Sequence, residues 1–215
     1  MSFNFESFLK TEENKEYFKT IKEILNLKNL CPKKEDIFNA FKNFNFETLK
    51  VIIIGQDPYP NIEDAHGLAF SSLNKKTPAS LKNIFKVIKQ DYKDVDFKTN
   101  NLENWKNQGV LLLNMILSTE IGFSLKHKNK GWETFNINLL NKLNTEYSNI
   151  IYVILGNQAK KFVSKLINLN NQIILETSHP SPLSCNKGFL DSRIFYLVNE
   201  ELKKLNKEII KWDTF

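Results

Sequence analysis

The chain has 215 residues, 41% hydrophobic and 25% charged, with 30 Lys and Arg against 24 Asp and Glu for a formal net charge of +6. That length suits a single domain spanning residues 1–215 with a full core, and the composition excludes disordered and fibrous classes. The longest apolar run, Val110 to Leu117, is too short to cross a bilayer and is broken by Asn114, while the stretch from Met1 to Glu6 lacks the features of a secretory leader, so a cytoplasmic protein with no membrane partner is expected.

In chain order, the spacing of Tyr17, Ile21 and Ile24 predicts a helix over Glu13–Leu25, and Asp36–Phe41 reads as a shorter one. From Lys50 onward the pattern changes. Four nearly continuous apolar runs, Val51–Ile54, Val110–Leu113, Ile150–Leu155 and Gln172–Leu175, read as strands buried on both faces. Between and after them lie amphipathic stretches, Ser80–Tyr92, Trp132–Tyr147, Gln158–Ile167 and Ser192–Leu205, which predict helices. Strand alternating with helix implies an α/β fold, a three-layer α/β/α sandwich around a central four-stranded parallel sheet. Right-handed crossovers then bring all four strand C-termini to one rim, where such sheets bind ligands.

The residues that follow each strand are polar and distinctive. They are Gly55-Gln56-Asp57-Pro58-Tyr59-Pro60, then Asn114, then Gly156-Asn157-Gln158, then Thr177 to Ser184. Asp57, between a strand and a proline, is either a turn carboxylate or one aimed into the rim to orient a water or face a developing cation. His179, stiffened by Pro180 and Pro182, is either satisfied locally or donates to a leaving group. Asn114 offers both a donor and an acceptor, which tie two loops together or read a pyrimidine edge. Tyr59 and Phe70 are core aromatics or the walls of a base pocket. Phosphate-loop, dinucleotide and nucleophile-elbow signatures are absent, and no His or Cys pair has metal-ligand spacing. The positive balance suits a polyanionic partner, although Arg193 is the only arginine and the abundance of Lys, Asn, Ile and Phe also fits AT-rich codons.

Taken together, these segments resemble the family-1 uracil-DNA glycosylases over nearly the whole chain and in that family's order. Gly55 to Tyr59 matches its water-activating loop, with Pro60 where the family has histidine. Ala65 to Phe70, Gly109 to Asn114, His127 to Glu133 and His179 to Ser184 are similar to four more of its signatures. The resemblance implies excision of uracil from DNA with no metal and no organic cofactor. It implies Asp57 as the residue that orients water and His179 as the donor to the leaving base. Gln56, Tyr59, Phe70 and Asn114 would bind uracil. Ser80, Gly156, Asn157, Ser181, Leu183 and Lys187 would contact DNA, with Leu183 filling the gap left by the flipped nucleotide. The implied partners are uracil-containing single- or double-stranded DNA and a DNA-mimicking inhibitor protein, with the enzyme a monomer. A catalytically weak scaffold and a nucleotide hydrolase are the competing readings of the same rim.

Overall fold

Ile, Val and Leu fill the interior of four short strands, and the helices take their places by covering them. The computed structural model describes residues 3–215; the leader reading at Met1 and Ser2 falls outside the described residues. In chain order the elements are α1 (Phe5–Glu12), α2 (Phe18–Ile24), β1 (Leu30–Cys31), β2 (Val51–Gly55), α3 (Ala79–Asp91), α4 (Glu103–Lys106), β3 (Val110–Asn114), β4 (Thr119–Glu120), α5 (Trp132–Glu146), β5 (Ile151–Leu155), α6 (Asn157–Val163), β6 (Ile173–Thr177) and α7 (Ile194–Lys204). The central sheet has the order β3-β2-β5-β6, parallel throughout. Strands β1 and β4 form a separate antiparallel pair.

The two-residue period of each strand divides the core in two. Ile52, Ile54, Leu111, Leu113, Tyr152 and Ile154 face α2, α5 and α6, packing with Phe18, Ile21, Phe135, Leu139 and Phe162. Val51, Ile53, Val110, Leu112, Ile151 and Val153 face α3, α4 and α7, packing with Leu81, Ile84, Trp105, Phe195 and Val198. Each such aliphatic side chain contributes about 1.5–3 kcal/mol on burial. The result is the expected three-layer α/β/α sandwich.

Three expectations need correction. The helix over Glu13–Leu25 is not continuous: α1 ends at Glu12, a turn follows, and α2 begins at Phe18. The buried Glu12 carboxylate gathers Lys15 Nζ and the Tyr17 hydroxyl from the turn between the two helices, and Asn138 Nδ2 from α5. The segment Asp36–Phe41 is not an α-helix: Asp36 ends a short 3-10 helix, Lys34–Asp36, and turns follow, with Asn39 N–H donating to Asp36 O and Phe41 N–H to Phe38 O. Asn39 Nδ2 instead donates to the His66 carbonyl at 2.9 Å, so this segment braces the loop leading to Phe70. Finally, β6 is an edge strand. Ile173 and Leu175 pack inward, but Ile174 is 39% exposed because the layer of α5 and α6 does not cover it.

The brace constrains Gly67, which adopts φ +90°; a Cβ there would lie 1.9 Å from the Asp36 carbonyl oxygen. Gly67→Ala is expected to lower stability by about 1–3 kcal/mol, read as a shift in the urea midpoint. An unchanged midpoint would mean that the turn and the loop are not pressed together.

Candidate active site at the strand ends

Strands β2 and β5 are neighbours, yet the chain after β2 crosses to the α3 side of the sheet and the chain after β5 crosses to the α6 side. A crevice opens where crossovers diverge in this way. It holds a cavity of about 130 Å³ lined by Gln56, Asp57, Tyr59, Phe70, Asn114 and His179, with Ser80 at the start of α3. Drug-sized pockets span roughly 300–1,000 Å³, so this one admits a single small ring.

Asn114 ends β3 directly beside Gly55, the last residue of β2. Its side chain is only 5% exposed, and no protein group among the described residues takes up its amide. A Cβ on Gly55 would sit 2.2 Å from Asn114 Oδ1, so glycine there leaves the amide its place. The backbone is held from below, where Asn136 Nδ2 donates to the carbonyls of Asn114 and Met115 at 3.0 Å each. A buried amide fixed by its backbone and free at its tip is poised for a ligand with complementary donor and acceptor.

Asp57 follows β2 by two residues and is half-buried. Burial raises its carboxyl above the ordinary value of 3.8, while a hydrogen bond from the Leu125 backbone N–H to Oδ2, at 2.7 Å, opposes that rise. Leu125 makes this bond from the left-handed region at φ 60°, and Phe70 likewise sits at φ 65°. Phe70 lines the cavity and Leu125 reaches it only through the bond to Asp57, and backbone strain of this kind gathers at functional sites. The Tyr59 hydroxyl donates to the Phe70 backbone carbonyl at 3.0 Å, which ties the Tyr59 ring to the Phe70 backbone, and burial pushes its pKa upward.

At His179 the hydrogen bonds define the tautomer. The Ser181 backbone N–H donates to Nδ1 at 3.1 Å, so Nδ1 is unprotonated and the neutral ring carries its proton on Nε2. Burial lowers the pKa, which favours that neutral form. The loop is fastened by Asn83 Nδ2 to the Pro180 carbonyl at 2.7 Å and by Ser184 Oγ to the His179 carbonyl at 3.0 Å. The site thus places a carboxylate and a neutral N–H donor in one small cavity, suited to separating positive from negative charge across a breaking bond.

Gly156, Asn157 and Lys187 line a second cleft of about 490 Å³ that shares His179 with the first. Ser181 and Leu183 lie on the same loop but line neither cavity; Ser181 Oγ pairs with Ser184 Oγ at 2.9 Å, and Leu183 stands 91% exposed at the tip. The 127–133 segment is not brought into the small cavity. His127 and Trp132 are buried around the Ser118 hydroxyl, which accepts from Trp132 Nε1 at 2.8 Å and is hydrogen-bonded with His127 Nδ1 at 2.9 Å. No group of three or more His, Cys, Asp or Glu among the described residues is arranged to hold a metal ion, and no helix among them is long and apolar enough to cross a membrane.

The family described as the uracil DNA glycosylase superfamily matches residues 41–203. The chain belongs to that superfamily. Uracil-DNA glycosylase of Mycoplasmopsis pulmonis is 47% identical over 212 residues, covering 96% of each chain. The crystal structure of mimivirus uracil-DNA glycosylase superposes with a TM-score of 0.88 at 28% identity, covering 97% of this chain and 85% of that one. A variant of mimivirus UNG in complex with UGI superposes with a TM-score of 0.89 at 29% identity, covering 97% and 87%.

Sequence reasoning missed several groups that shape the site. Leu125 acts through its backbone N–H, which leaves no trace in residue type. Asn136 is a buried asparagine on a helix whose target lies 22 residues away in the chain. Ser124 lines the cavity from the loop after β4, a segment without regular pattern. The tautomer assignment has a direct check. Nitrogen-15 NMR at pH 6.5 should show His179 neutral with its proton on Nε2, and an imidazolium signal at that pH would contradict it.

Proposed function

We propose that the small cavity receives a uracil flipped out of DNA and that the chain hydrolyses its N-glycosidic bond in the manner of family 1 of the superfamily. The observation that carries this reading is the buried, unpaired Asn114 amide facing the same cavity as Asp57 and the Nε2–H of His179.

Uracil offers an acceptor at O4 and a donor at N3, which the Asn114 amide matches. Cytosine reverses both, and the mismatch would leave buried polar groups unpaired. Phe70 stacks on the ring. Tyr59, pinned by its hydroxyl, occupies the space a thymine methyl would need. The Gln56 backbone borders the base.

As the C1′–N1 bond lengthens, the sugar gains positive charge and the base negative charge. The Asp57 carboxylate faces the sugar, and His179 Nε2–H donates to uracil O2. Water attacks C1′, its proton passes to Asp57, and the bonding pair leaves with uracil as the N1 anion, which takes a proton from solvent. The products are free uracil and an abasic sugar. Ser80, Gly156, Asn157, Ser181 and Lys187 bind phosphates around the cavity, and Leu183 fills the stack behind the flipped nucleotide. The enzyme acts as a monomer on single- or double-stranded DNA, and its rim is the surface for an inhibitor protein of the UGI kind.

Asp57→Asn and His179→Leu should each slow single-turnover uracil release by about 10²–10³-fold while leaving DNA affinity nearly unchanged, since both act on charge that develops only in the transition state. The wild type should release uracil but not thymine from the same oligonucleotide. Rates within a few-fold of wild type for either variant would refute the assigned roles. The acid limb of the wild-type profile belongs to Asp57, which must be ionised; its pKa is raised, so activity should fall at a pH above the ordinary carboxylate value of 3.8. No second loss is expected near 6.5, because the His179 pKa is lowered from there.

A further inference from the structure

We infer that the Ser124 hydroxyl holds the attacking water together with Asp57; this rests on the uracil-excision reading above. A water aligned for attack points one lone pair at C1′, and its remaining proton and lone pair need partners beyond a single carboxylate oxygen. Asp57 supplies one of them. Its Oδ2 is engaged by the Leu125 N–H at 2.7 Å, which leaves Oδ1 for the water.

The neighbouring wall is short of free polar groups. Pro58 and Pro60 have neither a backbone N–H nor a polar side chain. The Tyr59 hydroxyl is committed to the Phe70 carbonyl at 3.0 Å. The Ser71 hydroxyl is bound to His66 Nε2 at 2.6 Å and to the Leu102 N–H at 2.8 Å. Ser124 lines the same cavity, and no protein group among the described residues takes up its hydroxyl.

The backbone puts Ser124 beside Asp57 by two stitches, one on each side of it. The Gly122 N–H donates to the Pro60 carbonyl at 2.8 Å, and the Leu125 N–H donates to Asp57. Ser124 lies between those two ties, so the loop carrying it is fastened along the loop carrying Asp57. Holding this geometry keeps Leu125 at φ 60°, a conformation that branched and bulky residues avoid. The fold maintains a strained loop there, and its one side-chain hydroxyl, on a residue exposed to solvent, lines the cavity together with Pro60, where the resembled family carries a side-chain donor.

The test uses the full chain and a uracil-containing oligonucleotide under single-turnover conditions, with affinity measured on a 2′-fluoro analogue that resists cleavage. Ser124→Ala should slow the chemical step about tenfold, the weight of one hydrogen bond to a developing charge, with affinity within about twofold of wild type. Ser124→Thr, which keeps the hydroxyl, should recover most of the rate. Pro60→His should raise the rate more in the Ser124→Ala background than in wild type, because the two side chains then serve one water. A Ser124→Ala chemical step within about twofold of wild type would overturn the inference, as would a loss confined to affinity, which marks a phosphate contact instead. A wild type that releases no uracil would overturn the excision reading itself, and this inference with it.

Discussion

Gly55 and Asn114 end neighbouring strands in register, and the rest of the site depends on that pairing. The glycine's missing side chain is the space the asparagine amide occupies. A parallel ladder allows no slip by one residue here, since a slip would turn every apolar side chain of β2 and β3 to the opposite face. The two cores on either side of the sheet therefore also fix the pocket. Asn136 completes the constraint from the third layer by binding the carbonyls at the end of β3. Asn114 is thus held by the sheet and by α5, and in the proposed reaction neither holder needs to touch the ligand.

Burial acts on both charge-handling residues and favours the neutral form of each. For His179 that is the form the proposed reaction uses, because a neutral ring with its proton on Nε2 donates without placing a full cation against a leaving anion. For Asp57 the proposed reaction needs the charged form instead, and the Leu125 N–H works against burial by stabilising the carboxylate. One environment with a single added backbone donor thus treats the two groups differently, as the roles proposed for them require. It also explains why the loop after β4 accepts strain at Leu125: relaxing that residue would withdraw the N–H and let the carboxyl rise further.

The parallel sheet was legible because buried strands read as apolar runs and each run ends in residues unlike its own. The segments carrying Gln56, Asp57, Tyr59, Asn114 and His179 were legible for the same reason, since topology sends strand ends to one rim, whereas Phe70 lies fifteen residues beyond β2 and was singled out only by the family resemblance. What escaped has a common cause. The break between α1 and α2 is set by a buried glutamate whose partners include Asn138, far along the chain. The turns over 36–41 are set by a loop almost thirty residues later. The open face of β6 depends on where the helices end, and Leu125 works through a backbone group common to nearly every residue. Local pattern reports what a residue buries; it does not report which distant partner a polar atom will meet.

Leu183 shows how the loop joins two events that the proposed chemistry requires. A leucine left 91% exposed has most of its burial still to come. Full burial of such a side chain is worth about 1.5–3 kcal/mol, and extruding a base from the stack costs a few kcal/mol. The two are comparable, so insertion offsets much of the flip without making it spontaneous at every base. The same loop carries His179 four residues earlier, with the Pro180 carbonyl fixed to α3 by Asn83 and the Ser184 hydroxyl fixed to His179. In the proposed reaction, seating Leu183 in the stack therefore also sets the imidazole against the base that has just left it. A loop hinged freely at either proline would lose that coupling even with every functional side chain intact.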